Sequence, residues 1–424
     1  MGTLGFALIA LGFLFYGLVS RRLAESPVTP TMAFLGFGVL LGPAGFGIAR
    51  LDVDNAAIHM LAETTLVVVL FSDAARINLG RLRRDHNLPF RMLVWGMPLT
   101  IAAGTMAGLA LLPGLAFWEV ALLAAVLAPT DAALSQAVIS NPRVPTRIRQ
   151  ALNVESGLND GLALPLVLVL AACAAASHVP EDTARWVWFA LLQLGLGPAV
   201  GIAVGYGGGR LIDRAVGRAW MSESFEGLGA LGLAAAAYFG AELVHGNGFI
   251  AAFAAGLAFG HAAGHRCRFL YAFAEAEGQL LALATFLILG AVLVPPALAR
   301  MDWAVLAYAA LSLTLVRMGP VSLSLAGTGL RPSTHLFLGW FGPRGLASVL
   351  FALLILDRAT IPHREDLLAI VMAVVVLSAV LHGMSAGPAA RRYAAWSAGI
   401  GTCAEARSVG EMPMRTGHIR RKEA

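Results

Sequence analysis

Three carboxylates sit in stretches where almost everything around them is apolar: Asp131 in "APTDAAL", and Glu155 and Asp160 in "NVESGLNDGLALPLVLVL". An ionised side chain well inside an apolar helix is costly, and such residues usually face a protein-lined cavity or an ion path. Thr130, Ser156 and Asn159 add neutral oxygens beside the acids. Grouped together, these side chains suit a proton or a small cation that exchanges water for protein oxygen.

The helices must bring them together. In "EVALLAAVLAPTDAALSQAVIS", Pro129 lacks an N–H and clashes with the carbonyl four residues back, so the helix should kink or unwind there, with Asp131 at the break. Opened helix ends expose carbonyls and amides at mid-membrane, the feature that forms binding sites in secondary transporters. Ser156 and Asp160, four apart, share a helix face with Asn159 beside them. Glu155 lies roughly 140° around the helix from Asp160, so the two acids look toward different neighbours. Asp160 is then expected on the ion path and Glu155 against a fixed counter-charge. Arg344, in the second proline-broken stretch "HLFLGWFGPRGLASVLFALLIL", is the candidate partner, because a buried arginine requires an acceptor. Asp73, near the end of its apolar run, is a candidate accessory acid or an interfacial charge. Glu63, Glu242 and Arg317 have no partner assignable from sequence, and His245, His382 and Glu226 read as interfacial.

The whole chain has the composition of a membrane protein. Of its 424 residues 58% are hydrophobic and 13% charged, against about 25% charged in soluble domains. Thirteen apolar segments can be drawn, at 4–19, 30–48, 58–72, 89–112, 119–139, 151–174, 185–206, 226–244, 248–262, 278–298, 303–328, 334–356 and 366–384. Arginines cluster in alternate loops, around 76–91, 143–149, 210–218 and 266–268, which places the amino terminus outside and the carboxyl terminus in the cytoplasm. The fifth and twelfth segments both break at a proline. That echo suggests two inverted-topology six-helix repeats, about 1–174 and 226–388, joined by a linking helix at 185–206. The fold expected is an all-α polytopic membrane protein with about thirteen spans and broken helices, residues 1–388 forming the membrane domain and 389–424 a short, disordered cytoplasmic tail. The first run lacks the basic start and small-residue cleavage site of a signal peptide. Three scattered cysteines make no ligand pattern, and "YGGGR" ends a helix where a phosphate loop would open one. No basic stripe interleaved with aromatics suggests nucleic acid, and neither an enzyme, a nucleotide site nor a cofactor is expected.

Four stretches in this order, "APTDAAL", "NVESGLNDG", "GNGFIAAFAAGLAFG" and "GWFGPRGLASVLF", resemble the monovalent cation/proton antiporters, in the branch of bacterial sodium/proton antiporters and animal sodium/hydrogen exchangers. The resemblance covers about residues 5–390. It implies a plasma-membrane homodimer in contact with lipid, with a mobile core and crossed, unwound helices beside the essential acid. Asp160 matches the acid that carries either a proton or the cation. Thr130, Asp131, Ser156 and Asn159 match the surrounding site, and Glu155 and Arg344 match its stabilising ion pair. The Asn159–Asp160 pair resembles the electroneutral, one-for-one branch, with sodium the first cation expected and lithium or potassium also served by these motifs. Many bacterial relatives carry a long nucleotide-sensing tail that this sequence does not show, which argues against regulation of that kind. A cation channel or uniporter, or an organic-anion transporter using the same broken helices, is the alternative reading.

Overall fold

The computed structural model describes residues 3–23, 26–49, 55–77, 80, 87–176, 183–263, 268–358, 361–400 and 403–407. Helix lies at each of the drawn apolar segments. The protein is an all-α, multi-pass membrane protein: six of its described helices are at least 18 residues long and apolar enough to cross a membrane, and shorter apolar helices lie among them.

Apart from the short helices Gln136–Ile139 and Val294–Ala299, the described helices in chain order are α1 (Thr3–Leu23), α2 (Pro30–Leu41), α3 (Ala56–Ala75), α4 (Asn87–Leu111), α5 (Phe117–Val126), α6 (Thr146–Ala176), α7 (Thr183–Gly217), α8 (Glu223–Leu243), α9 (Gly248–Ala263), α10 (Arg268–Val292), α11 (Trp303–Ser324), α12 (Pro332–Trp340), α13 (Leu346–Arg358) and α14 (Arg364–Ala398). α9 packs on both α3 and α7, and α2 packs on α10. Glycines make those approaches close. A Cβ on Gly256 or Gly260 of α9 would come within 2.3 Å of the Phe71 or Ala75 carbonyl oxygen of α3. Small residues four apart let membrane helices meet backbone to backbone. The glycine-rich stretch of α9 is therefore a packing surface.

Two interruptions define the centre. The fifth segment stops at Val126, passes through non-helical residues around Pro129, and resumes briefly at Gln136–Ile139. The twelfth is divided into α12 and α13 by residues 341–345. Prolines stand in both gaps, as the sequence led us to expect. Two further irregularities carry weaker sequence signals. α4 contains a π turn over Met92–Gly96, where the Met97 N–H reaches back to the Met92 carbonyl just ahead of Pro98. α11 jogs at Thr314, whose φ and ψ are −113° and −99°.

The end of the chain departs from expectation. α14 continues through Pro388 to Ala398, so the membrane-domain boundary set at residue 388 falls inside a helix. Packing overrides the Gly387-Pro388 stop signal: Ala390 and Ala394 are buried, and the Tyr393 ring stacks on Phe337 with centroids 3.9 Å apart. A 3-10 turn, Ala404–Ala406, then docks on the helical body through the buried Glu405. The expected disorder of the tail therefore does not hold for residues 389–398 and 403–407; residues 408–424 lie outside the described residues, as do the loop arginines at 81, 83, 84 and 266.

Candidate functional site

The two breaks lie directly against each other. The Asp131 N–H donates to the Pro343 carbonyl at 2.8 Å, one interrupted backbone pairing with the other. Asp131 Oδ1 accepts from the Ala133 N–H at 2.8 Å and Oδ2 from the Leu346 N–H at 3.2 Å. Asp131 thus caps the start of α13 as well as its own turn, placing negative charge where that helix presents unpaired amides. Only glycine fits opposite it: a Cβ on Gly345 would stand 2.0 Å from Asp131 Oδ2.

α6 supplies the other wall. Ser156 Oγ donates to the Thr130 carbonyl at 2.6 Å, and Asn159 Nδ2 donates to Thr130 Oγ1 at 2.6 Å. These bonds tie α6 to the unwound backbone. Asn159 Oδ1 is buried with no hydrogen-bond partner among the described residues. Asp160, 8% exposed, lines a cavity of about 1310 Å³ together with Thr130, Asp131 and Ser156. Asp73 and Arg76 from the end of α3 line the same cavity, as do Arg21 and Arg391 from the ends of α1 and α14. The structure therefore brings together Thr130, Asp131, Ser156, Asn159 and Asp160, and places Asp73 in the wall of the same cavity. Oxygens, one carboxylate-bearing helix face and a polar opening make an arrangement suited to binding a small cation or a proton; among the described residues no cluster of His, Cys, Asp and Glu has metal-ligand geometry.

The expected Glu155–Arg344 ion pair is not formed. Glu155 Oε1 pairs with Arg317 Nη2 at 2.5 Å, both residues being 1% exposed. Arg344 Nη1 instead donates to the carbonyls of Ala128 and Pro129, at 2.7 and 3.3 Å. The physical reason lies in the break itself, since unwinding at Pro129 frees carbonyls that need donors. Arg317 passes close to the second break: a Cβ on Gly342 would stand 2.3 Å from its Nε. The sequence signal for Arg317 was its position in an apolar stretch, "LTLVRMGPV", where a buried arginine demands a partner.

His382 also departs from its expected interfacial place. It is fully buried on α14, with Nε2 2.9 Å from the Trp340 carbonyl and Nδ1 3.2 Å from Ser378 Oγ. Glu119, which raised no expectation, is buried at the start of α5, accepts from the Ala116 N–H, and sits 3.0 Å from His363 Nδ1.

Comparison with known proteins identifies the family. Residues 7–392 match the family described as sodium/hydrogen exchanger, transmembrane. The chain is 27% identical over 400 residues to the K(+)/H(+) antiporter NhaP of Alkalimonas amylolytica, covering 92% of this chain and 67% of that protein. It is 25% identical to the K(+)/H(+) antiporter NhaP2 of Shewanella sp. (strain ANA-3), covering 66% of that protein, so it spans about two thirds of the length of these relatives. The Na(+)/H(+) antiporter NhaP of Pseudomonas aeruginosa is 25% identical over 408 residues, 89% of this chain and 90% of that one. In fold, the chain resembles the sodium proton antiporter MjNhaP1 from Methanocaldococcus jannaschii, with a TM-score of 0.75 at 20% identity over 92% of this chain and 99% of that one. On the match that runs through nearly all of its helices, the chain belongs to the sodium/hydrogen exchanger family of monovalent cation/proton antiporters.

Proposed function

We propose that the protein exchanges protons for a monovalent cation, one for one, at Asp160, and that sodium is the cation it carries. The observation that supports this most strongly is the charge balance around the crossed breaks. Asp131, Glu155 and Asp160 supply three carboxylates, and the buried Arg317 and Arg344 supply two fixed positive charges. One negative charge is left over, which a single proton or a single monovalent cation neutralises. An empty, charged site is then a poor candidate to cross the membrane, and exchange is obligatory.

The roles follow. Asp160 carries the proton or the cation; Thr130, Ser156, Asn159 and Asp131 supply and position the neighbouring oxygens; Glu155–Arg317 and Arg344 hold the two breaks in register. Asp73 is the accessory acid on the approach. The cavity's Arg21 and Arg391 belong to the arginine-rich side, so the site faces the cytoplasm, with the amino terminus outside and the carboxyl terminus inside. The helices form thirteen spans in two inverted six-helix repeats, and two copies assemble as a homodimer in the plasma membrane. An organic-anion carrier would leave Arg344 open to its substrate, whereas Arg344 is 1% exposed and held on backbone carbonyls.

Proteoliposomes with an imposed pH gradient test this. Cation-dependent proton flux is expected from the intact protein, lost in Asp160→Asn and insensitive to a potassium–valinomycin clamp. Flux that follows the clamped voltage would refute the one-for-one ratio, and silence with sodium, lithium and potassium would refute exchange. Potassium is the second reading, favoured by relatives named K(+)/H(+) antiporters that are 27% and 25% identical over 92% and 91% of this chain. Flux with potassium but not sodium would select it.

A further inference from the structure

The break between α12 and α13 is bridged by side chains from a helix that carries none of the site's acids. On α14, Ser378, His382 and Ser385 stand at spacings of four and three, so they share one face. Ser378 Oγ accepts from the Arg344 N–H at 2.7 Å, at the beginning of the second half-helix. His382 Nε2 lies 2.9 Å from the Trp340 carbonyl, the last residue of the first half-helix. Ser385 Oγ accepts from the Trp340 indole N–H at 2.9 Å, and the Trp340 and His382 rings lie 4.8 Å apart.

The Arg344 N–H donates to Ser378 Oγ, and His382 Nε2–H donates to the Trp340 carbonyl. His382 Nδ1 lies 3.0 Å from the Ser378 carbonyl and 3.2 Å from Ser378 Oγ, so the imidazole is held against Ser378 whichever ring nitrogen carries the proton. Ser378 and His382 therefore complete a relay from one lip of the break to the other. Unwound backbone inside a membrane persists only where each freed amide and carbonyl finds a partner. Here α14 supplies partners on both lips.

We propose that Ser378, His382 and Ser385 are positioning residues for ion exchange: they fix the width of the break so that the Arg344 guanidinium meets the Ala128 and Pro129 carbonyls and the Leu346 N–H meets Asp131. This rests on the reading that the crossed breaks form the exchange site. The relay touches neither Asp131 nor Asp160 and acts through residues 340–346.

Two readouts test it separately. The first is deuterium uptake at the backbone of residues 340–346 in the folded full-length protein, compared among wild type, His382→Ala, His382→Gln and Ser378→Ala. The second is cation-dependent proton flux in proteoliposomes, resolved into half-saturating cation concentration and maximal rate. His382→Ala and Ser378→Ala are expected to speed uptake across the break. His382→Ala should raise the half-saturating concentration about tenfold, the order of one lost buried hydrogen bond, with a smaller change in maximal rate. Gln can place an amide N–H where Nε2 stands, so His382→Gln should restore both values. Uptake unchanged from wild type in both alanine variants would overturn the proposal whatever the flux shows, as would failure of Gln to restore either value. If wild type moves no proton with any cation while the uptake differences appear, the relay stands and the exchange reading falls.

Discussion

At the scale of residues, the fully buried Arg317 and Arg344 are held by two different kinds of acceptor. Arg317 has a carboxylate, Glu155, and Arg344 has carbonyls that an unwound helix can no longer use. Removing one partner of a buried pair leaves an uncompensated charge and costs about 3–5 kcal/mol, whereas replacing both with apolar groups is often neutral. Arg317→Met should therefore lower the thermal unfolding midpoint in detergent sharply, and Arg317→Met with Glu155→Leu should recover most of the loss. A double variant no more stable than the single one would show that Arg317 is held by something other than Glu155. Gly345→Ala probes the other side of the site: its Cβ would meet Asp131 at 2.0 Å and push the carboxylate off the Leu346 N–H. The half-saturating cation concentration should rise at least tenfold with little change in unfolding midpoint, measured on the same preparation. The sequence made the acids legible because charge inside apolar runs is rare. Which arginine meets which acceptor was not legible: pairing depends on distances between helices far apart in the chain, and the carbonyls freed at Pro129 are acceptors that side-chain identity does not reveal.

At the scale of elements, the proline-marked breaks could be read in the sequence, and the ends of helices less well. Pro129 and Pro343 each remove a backbone donor, a local effect that any sequence reveals. The continuation of α14 past Pro388 depends instead on Tyr393 stacking over Phe337, a contact made by a different segment. The docked turn after α14 has a comparable long-range role. Glu405 Oε1 accepts from the Arg331 N–H at 2.8 Å and from Thr334 Oγ1 at 3.0 Å, capping the start of α12 from 71 residues away or more. Burial works to raise the Glu405 carboxyl, but its hydrogen bonds, from the Arg331 amide first, outweigh that and hold it below the ordinary carboxylate value. A folded-state value below the unfolded one adds stability at neutral pH, and that stability is lost as pH falls through the folded value. Wild type should thus be more stable than Glu405→Gln at pH 7, by about 1 kcal/mol as for other lost helix caps. The gap should close as pH drops below about 4, the ordinary glutamate range. Thermal unfolding of both proteins across that pH range checks the sign, and a gap that widens in acid would contradict it.

At the scale of the whole molecule, alternating arginine-rich loops and one large cavity have to agree about which side is which. The cavity's wall joins Asp160 to Arg21 at the end of α1 and Arg391 near the end of α14, both on the side that is cytoplasmic in the orientation proposed above. Ala137, an exposed residue of the short turn after the first break, lines that cavity. Trp303, 84% exposed at the start of α11, falls on the other side in that proposed orientation. With Cys173, Cys267 and Cys403 replaced by serine, a membrane-impermeant thiol reagent should label Ala137→Cys in inside-out vesicles and Trp303→Cys in right-side-out ones. The reverse pattern would invert the topology without disturbing the site. Rapid labelling of Ala137→Cys from both faces is the informative failure, because a path open to both sides at once cannot force one ion to wait for the other. Exchange at a single leftover charge requires the site to be closed on one face while it is open on the other, so one-sided access at Ala137 is what separates an exchanger from a channel built on the same broken helices.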